Sequence, residues 1–137
     1  MLVNLYRKKY KKKLRNGINK FLGQIQFGFY GVFALESGVL LENQLEVVRR
    51  ILSRLTKRLS KIFIRISFFQ PLTKKPLKSR MGKGVGVIKK WVSYIKKGMF
   101  ILEVSSVSTK LILFIYKKIK YQMPIRLGLT SRYLLIK

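Results

Sequence analysis

The chain has 137 residues and is 48% apolar, which suits one domain with a modest core and is too apolar for a disordered basic tail. Against 31 Lys and Arg stand four acids, Glu36, Glu42, Glu46 and Glu103; the net charge of +27 repels itself until something anionic neutralises it, so RNA, DNA and an anionic membrane surface are the candidate partners. The absence of Cys and His excludes thiol and imidazole nucleophiles, disulfides and Cys/His zinc sites, and scattered Glu make no catalytic pair, so the expectation is a non-enzyme with no cofactor and no metal.

Residues 1–26 are expected to form a basic N-terminal arm. Arg7, Lys8, Lys9, Tyr10, Lys11, Lys12, Lys13 and Arg15 lie in LYRKKYKKKLRNGINK, which fits either a solvated tail or an arm that orders on phosphates with its tyrosines stacking. The overall basicity favours the phosphate-binding arm. The segment is acid-free like a transit peptide, yet it has lysine runs and no serine.

From Phe27 the chain is expected to be one domain, 27–137. In FGFYGVFAL, Phe27, Phe29, Phe33 and Leu35 alternate with smaller residues, which predicts a strand with those side chains buried, followed by a turn at Glu36 to Gly38. Leu45, Val48, Leu52, Leu55 and Leu59 recur at steps of three and four, so a helix is expected over Glu42 to Lys61. Arg49, Arg50, Arg54, Lys57 and Arg58 fall mostly outside that stripe. With no acid after Glu46 in the helix they are expected to stand without supporting salt bridges along it, and they form a face read as RNA-binding rather than merely solvated.

Ile62 to Phe68 alternates as a strand. Pro71 and Pro76 are expected to stop regular pairing and lead into a protruding basic loop, 71–90, whose core reads KSRMGKGVG. Its alternate glycines allow turns and close approaches, and its cations suit a polyanion; the spacing alone is equally that of a solvated turn. It lacks the Gly-Lys-Ser/Thr ending of a nucleotide-binding P-loop. Val87 to Ile95 and Met99 to Val104 are expected to pair as a hairpin across Lys96, Lys97 and Gly98. Trp91 fits the core better than a base-stacking platform. A second helix is expected over Ser108 to Tyr121, buried along Leu111, Ile112, Ile115 and Ile119, and a last strand over Ile125 to Tyr133. The predicted fold class is therefore α+β, a largely antiparallel sheet with two helices packed on one face, plus the arm and the long glycine-rich basic loop.

Several motifs in this order resemble the bacterial and organellar ribosomal protein L-sixteen family: FGFYG at Phe27, QLEVVRR at Gln44, KIFIRI at Lys61, KPL at Lys75, RMGKG at Arg80 and MPIR at Met123. The resemblance implies an RNA-binding structural protein of the large ribosomal subunit, beside the peptidyl transferase centre and the aminoacyl-tRNA path. It implies that Arg80, Met81, Gly82, Lys83 and Gly84, with Lys78 and Gly86 in the same loop, reach toward that centre. The chain departs from the family in lacking a Pro and a His in the arm, in having Leu41 where a Thr usually caps the first helix, and in an acid-free second helix.

The expected partners are large-subunit ribosomal RNA, aminoacyl-tRNA and neighbouring large-subunit proteins, with no membrane insertion and no homo-oligomer. No apolar run reaches the length of a membrane-spanning helix. The single Ala amid abundant Ile and Lys reads as the bias of an AT-rich genome and points to an organelle; the expected location is a mitochondrion, ahead of a plastid or a bacterial cytoplasm. A basic peripheral membrane protein that binds through its second helix is the alternative.

Overall fold

The structure is a computed structural model and describes residues 24–82 and 84–132. The expected arm residues, Arg7, Lys8, Lys9, Tyr10, Lys11, Lys12, Lys13 and Arg15, and the loop residue Lys83 lie outside the described residues. The described elements run β1 (Tyr30–Ala34), β2 (Gly38–Leu41), α1 (Glu42–Leu55), β3 (Ile62–Ile64), β4 (Gln70–Lys74), β5 (Val87–Ile95), β6 (Phe100–Val104), α2 (Thr109–Lys120) and β7 (Leu127–Ser131). This is the α+β class with antiparallel pairing, but the strands divide into two sheets, β3-β6-β1-β7 and β2-β5-β4.

The division overturns the expected hairpin between β5 and β6. β5 pairs with β2 and β4, whereas β6 pairs with β1 and β3. The reason is that β1 to β2 and β5 to β6 run side by side as a two-stranded ribbon that turns a corner. Gly38 faces Ile95 on one side of the bend, and Phe33 faces Phe100 on the other. Three bonds hold the corner: Gly98 N donates to Ala34 O at 2.7 Å, Ala34 N to Met99 O at 3.0 Å, and Lys97 N to Ser37 Oγ at 3.2 Å. Gly98 has φ of +83°, a conformation that favours glycine. Lys96, Lys97 and Gly98 therefore carry the chain from one sheet to the other.

β1 forms where expected with its faces exchanged. Val32 and Ala34 are buried, while Phe27, Phe29 and Leu35 are 59%, 47% and 44% exposed. Since side chains alternate strictly along a strand, choosing the small residues for the core turns every phenylalanine outward. Phe33 is half-buried and packs its ring near Phe100, with centroids 5.9 Å apart.

α1 buries Leu45, Val48 and Leu52 against the core, with Leu55 packed alongside. Leu41, at the N-cap, makes no side-chain cap, but its N–H donates to Gln44 Oε1 at 3.0 Å. Leu41 also ends β2 opposite Val92, so the helix starts from a paired strand. It stops at Leu55, well short of the expected Lys61. Thr56 Oγ1 donates back to Leu52 O at 2.9 Å, and Lys57 and Arg58 then take left-handed conformations with φ of +49° and +64°. That turn swings Leu59 out of the stripe, leaving it 81% exposed rather than buried.

α2 follows its expected stripe, with Ile112, Ile115 and Ile119 buried and continued by Met123 and Ile125. Ser108 stands at its N-cap without a side-chain bond. β3 is shorter than the predicted strand, although Arg65 N still donates to Ile101 O at 3.0 Å and Ile66 is buried. Pro71 does not stop pairing, because it lies inside β4 opposite Trp91, and β4 is an edge strand where a missing N–H faces no neighbour. Pairing continues to Lys74 opposite Val87, so among the described residues 75–82 and 84–86 lie outside it.

Candidate nucleic-acid interface

Two basic regions flank α1. At its C-terminal end, Arg49, Arg50, Arg54, Lys57 and Arg58 line one open basin of about 900 Å³ with Ser53, Ser60 and Ile62. All five cations expected to form a helical face are thus brought together, but by a different construction. Arg49, Arg50 and Arg54 come from the helix, whereas Lys57 and Arg58 come from the left-handed turn beyond it. Lys57 and Arg58 thus reach the basin from the left-handed turn and not from a further turn of helix.

The basin's cations differ in what they already hold. Arg49 Nε and Nη2 donate to the two Glu46 oxygens at 2.8 Å each, and Arg50 Nε donates to Glu46 Oε1 at 3.0 Å. These hydrogen bonds, Arg49 first, hold the Glu46 carboxyl down at about 2 against an ordinary 4.5. Two of the helical arginines therefore do have an acidic partner, contrary to the expectation that the cations stand without salt bridges. Arg54, Lys57 and Arg58 have no carboxylate partner among the described residues. The hydroxyl of Ser60 is buried in the wall and has no hydrogen-bond partner among the described residues.

The second region is the β4–β5 hairpin near the other end of α1. Leu41, Glu42 and Asn43 there border a small cavity of about 110 Å³ with Lys89, Lys90 and Trp91. Trp91 is half-buried at this junction. The hairpin tip carries Lys78, Arg80, Met81, Gly82 and Gly84, all exposed, with Leu77 at 98% and Met81 at 94%. Gly82 and Gly84 have φ of +89° and +78°, and neither has a heavy atom within 4 Å of where a Cβ would stand. Gly86 serves differently: a Cβ there would run into the Lys74 carbonyl, so its bareness lets the strands close at the base of the tip. Asn43, which borders the second region, precedes Arg49 of the basin by six residues, roughly 9 Å along the helix axis.

One cluster escaped the sequence reading. Glu103 is fully buried in β6, where its carboxylate accepts from the N–H groups of Gln26, Phe27 and Gly28 at 3.2, 2.7 and 3.0 Å and from Arg65 Nη1 at 2.9 Å. Arg65 also lies 5.2 Å from the centroid of the Phe27 ring, which stacks on Phe63 at 5.5 Å. The exposed Phe27 is thereby explained, and the segment entering β1 is fastened to β3 and β6. The signal was present in sequence: Glu103 is the one acid after Glu46, set within the apolar run ILEV.

Among the described residues no group of His, Cys, Asp and Glu can hold a metal ion, and no helix is long and apolar enough to cross a membrane. Residues 4–129 match the family described as Ribosomal protein L16p/L10e. A relative from Blochmanniella pennsylvanica, named large ribosomal subunit protein uL16, is 37% identical over 134 residues, spanning 96% of this chain and 100% of its own. Proteins of the same name from Buchnera aphidicola subsp. Cinara cedri and Wigglesworthia glossinidia brevipalpis are 36% and 38% identical, covering 90% and 83% of this chain and 93% and 86% of theirs. The chain belongs to the ribosomal protein L16p/L10e family, whose members are structural and non-enzymatic.

Proposed function

We propose that the protein is a structural constituent of the large ribosomal subunit, that it binds large-subunit ribosomal RNA near the peptidyl transferase centre and the aminoacyl-tRNA site, and that it helps to organise that region for translation. Family membership supports the ribosomal part, and the observation that carries RNA binding is the convergence of five cations on one open basin with Glu46 as their described acidic partner. Cations so placed are suited to phosphates, and a folded RNA presents phosphates in a fixed array. The exposed residues Lys78, Arg80, Met81, Gly82 and Gly84 support the proposed contact with tRNA, since Gly82 and Gly84 take left-handed conformations with open space where a Cβ would stand. The arm, Arg7 to Arg15, is proposed to bind the same RNA. Other large-subunit proteins are its proposed neighbours, and it acts in single copy within the particle. The lysine- and isoleucine-rich composition supports a mitochondrial ribosome, while the relatives named above are bacterial.

Sedimentation of native lysate through a sucrose gradient tests the assignment: the chain travels with large subunits, and its recovery among free proteins would reject it. For the tip, Arg80→Ala leaves assembly largely intact and slows peptide synthesis; unimpaired synthesis would remove the proposed role. A second reading, peripheral membrane binding, is favoured by the outer face of α2, where Leu113 and Phe114 are 44% and 50% exposed among lysines. Preference of the purified chain for anionic vesicles over structured RNA is its distinguishing result.

A further inference from the structure

We infer that the basin at the end of α1 seats a bend of RNA phosphodiester backbone, held by side chains alone, and that the left-handed turn at Lys57 and Arg58 exists to aim its cations there. The inference rests on the ribosomal reading and names what that surface grips. Its first support is conformational. Two successive non-glycine residues at φ of +49° and +64° are unfavourable, and glycine is the ordinary choice at such a helix end. Lys and Arg occupy these positions instead, and both side chains line the basin. Conformational strain retained at charged residues points to a use for the charge.

The second support is the accounting of donors. Turns at helix ends often present free backbone amides to an anion, but here they are occupied. Thr56 N donates to Leu52 O at 3.0 Å, Lys57 N to Arg54 O at 3.2 Å, Arg58 N to Ser53 O at 3.0 Å and Leu59 N to Thr56 O at 3.0 Å. An anion in the basin therefore meets Arg54, Lys57 and Arg58, which have no described carboxylate partner, with Arg49 and Arg50 oriented by Glu46 at one side. Several separated cations around an open volume of about 900 Å³ match a run of phosphates better than one. The five cations, two serines and Ile62 line the space with no carboxylate among them, which suits a polyanionic backbone.

Two measurements test this on the full chain. The first uses the absence of cysteine: Ser53→Cys supplies one attachment point for an iron chelate that generates hydroxyl radicals in isolated large subunits. The expected result is a confined cluster of cuts in large-subunit ribosomal RNA. Labelled chain present in the subunits with no RNA cut would overturn the basin proposal and leave the ribosomal reading standing; a chain missing from the subunits would overturn both. The second compares the double variant Lys57→Gly/Arg58→Gly with Lys96→Gln/Lys97→Gln, which removes the same charge at the sheet corner. The glycine pair keeps or raises the Tm and weakens binding to purified large-subunit ribosomal RNA about tenfold at moderate salt, more than the corner pair does. A fall in Tm, or equal weakening by the two pairs, would contradict the claim that the turn is shaped for the ligand.

Discussion

Glu103 and the basin at the end of α1 use the same chemistry, guanidinium with carboxylate, in opposite balance. In the first, a buried carboxylate meets Arg65 and three backbone amides, and every charge has a partner within the molecule. In the second, five cations gather around an open volume where Glu46 neutralises part of two of them. The closed cluster contributes to folding, since a buried charge without partners is costly. The open cluster contributes little to folding, because exposed charges are solvated and mutually repelled, and its excess of donors is complementary to something outside the chain. In a protein of net charge +27, pairing inside the molecule therefore separates the cations that build the fold from those available to a partner.

The comparison breaks most sharply at Glu103. Glu103→Ala leaves Arg65 and the amides of Gln26, Phe27 and Gly28 without their acceptor, and is expected to lower stability by about 3 kcal/mol, read by urea denaturation. A loss below about 1 kcal/mol would show that the cluster is dispensable to the fold. The opposite pattern is expected for the triple variant Arg54→Gln/Lys57→Gln/Arg58→Gln: stability changes by less than about 0.5 kcal/mol, while the log–log salt slope of RNA binding becomes shallower by roughly 2 to 3. An unchanged slope would make those cations bystanders.

The glycines of the hairpin sharpen the same contrast on a smaller scale. Gly86→Ala pushes a methyl group into the Lys74 carbonyl and is expected to cost about 1 to 2 kcal/mol, with faster amide exchange at the paired end of β4 and β5. Gly84→Ala meets no atoms and carries only the penalty of its φ of +78°, about 1 kcal/mol. The smallest effect belongs to Glu46. Its carboxyl is held near 2, below its ordinary 4.5, so its contribution to α1 is fully present above pH 4.5 and disappears as the pH falls through 2. Carbon-detected NMR titration of the Glu46 carboxyl gives a midpoint near 2, and Arg49→Gln together with Arg50→Gln moves it up toward 4.5.

What could be read from sequence was whatever depended on spacing within one element. The stripes of α1 and α2, the start of α1 at Glu42 and the bounds of β5 follow from local periodicity, and the resemblance to the ribosomal family rests on motifs carried in order. What depended on contacts between distant residues was not legible. The faces of β1 were exchanged because alternation alone does not say which set goes inward; Val32 and Ala34 pack in, and Phe27 instead serves the Arg65 cluster. The end of α1 carried no Gly or Pro to announce it, and was set by Thr56 bonding back to Leu52 and by two residues in a conformation their side chains disfavour. β5 and β6 looked like a hairpin because the corner they share with β1 and β2 exists only once four strands have met. The basin was foreseen in its cations and missed in its shape, since Ser53 and Ser60 carry no charge to mark them and the turn that carries Lys57 and Arg58 was read as helix.

A density map of the isolated large subunit, resolved well enough to see side chains, tests the central claim most directly. The account predicts ribosomal RNA phosphates against Arg54, Lys57 and Arg58, and the hairpin tip at Arg80 to Gly84 directed into the region where tRNA and the catalytic RNA meet. A map in which the basin or the tip faces bulk solvent would contradict it.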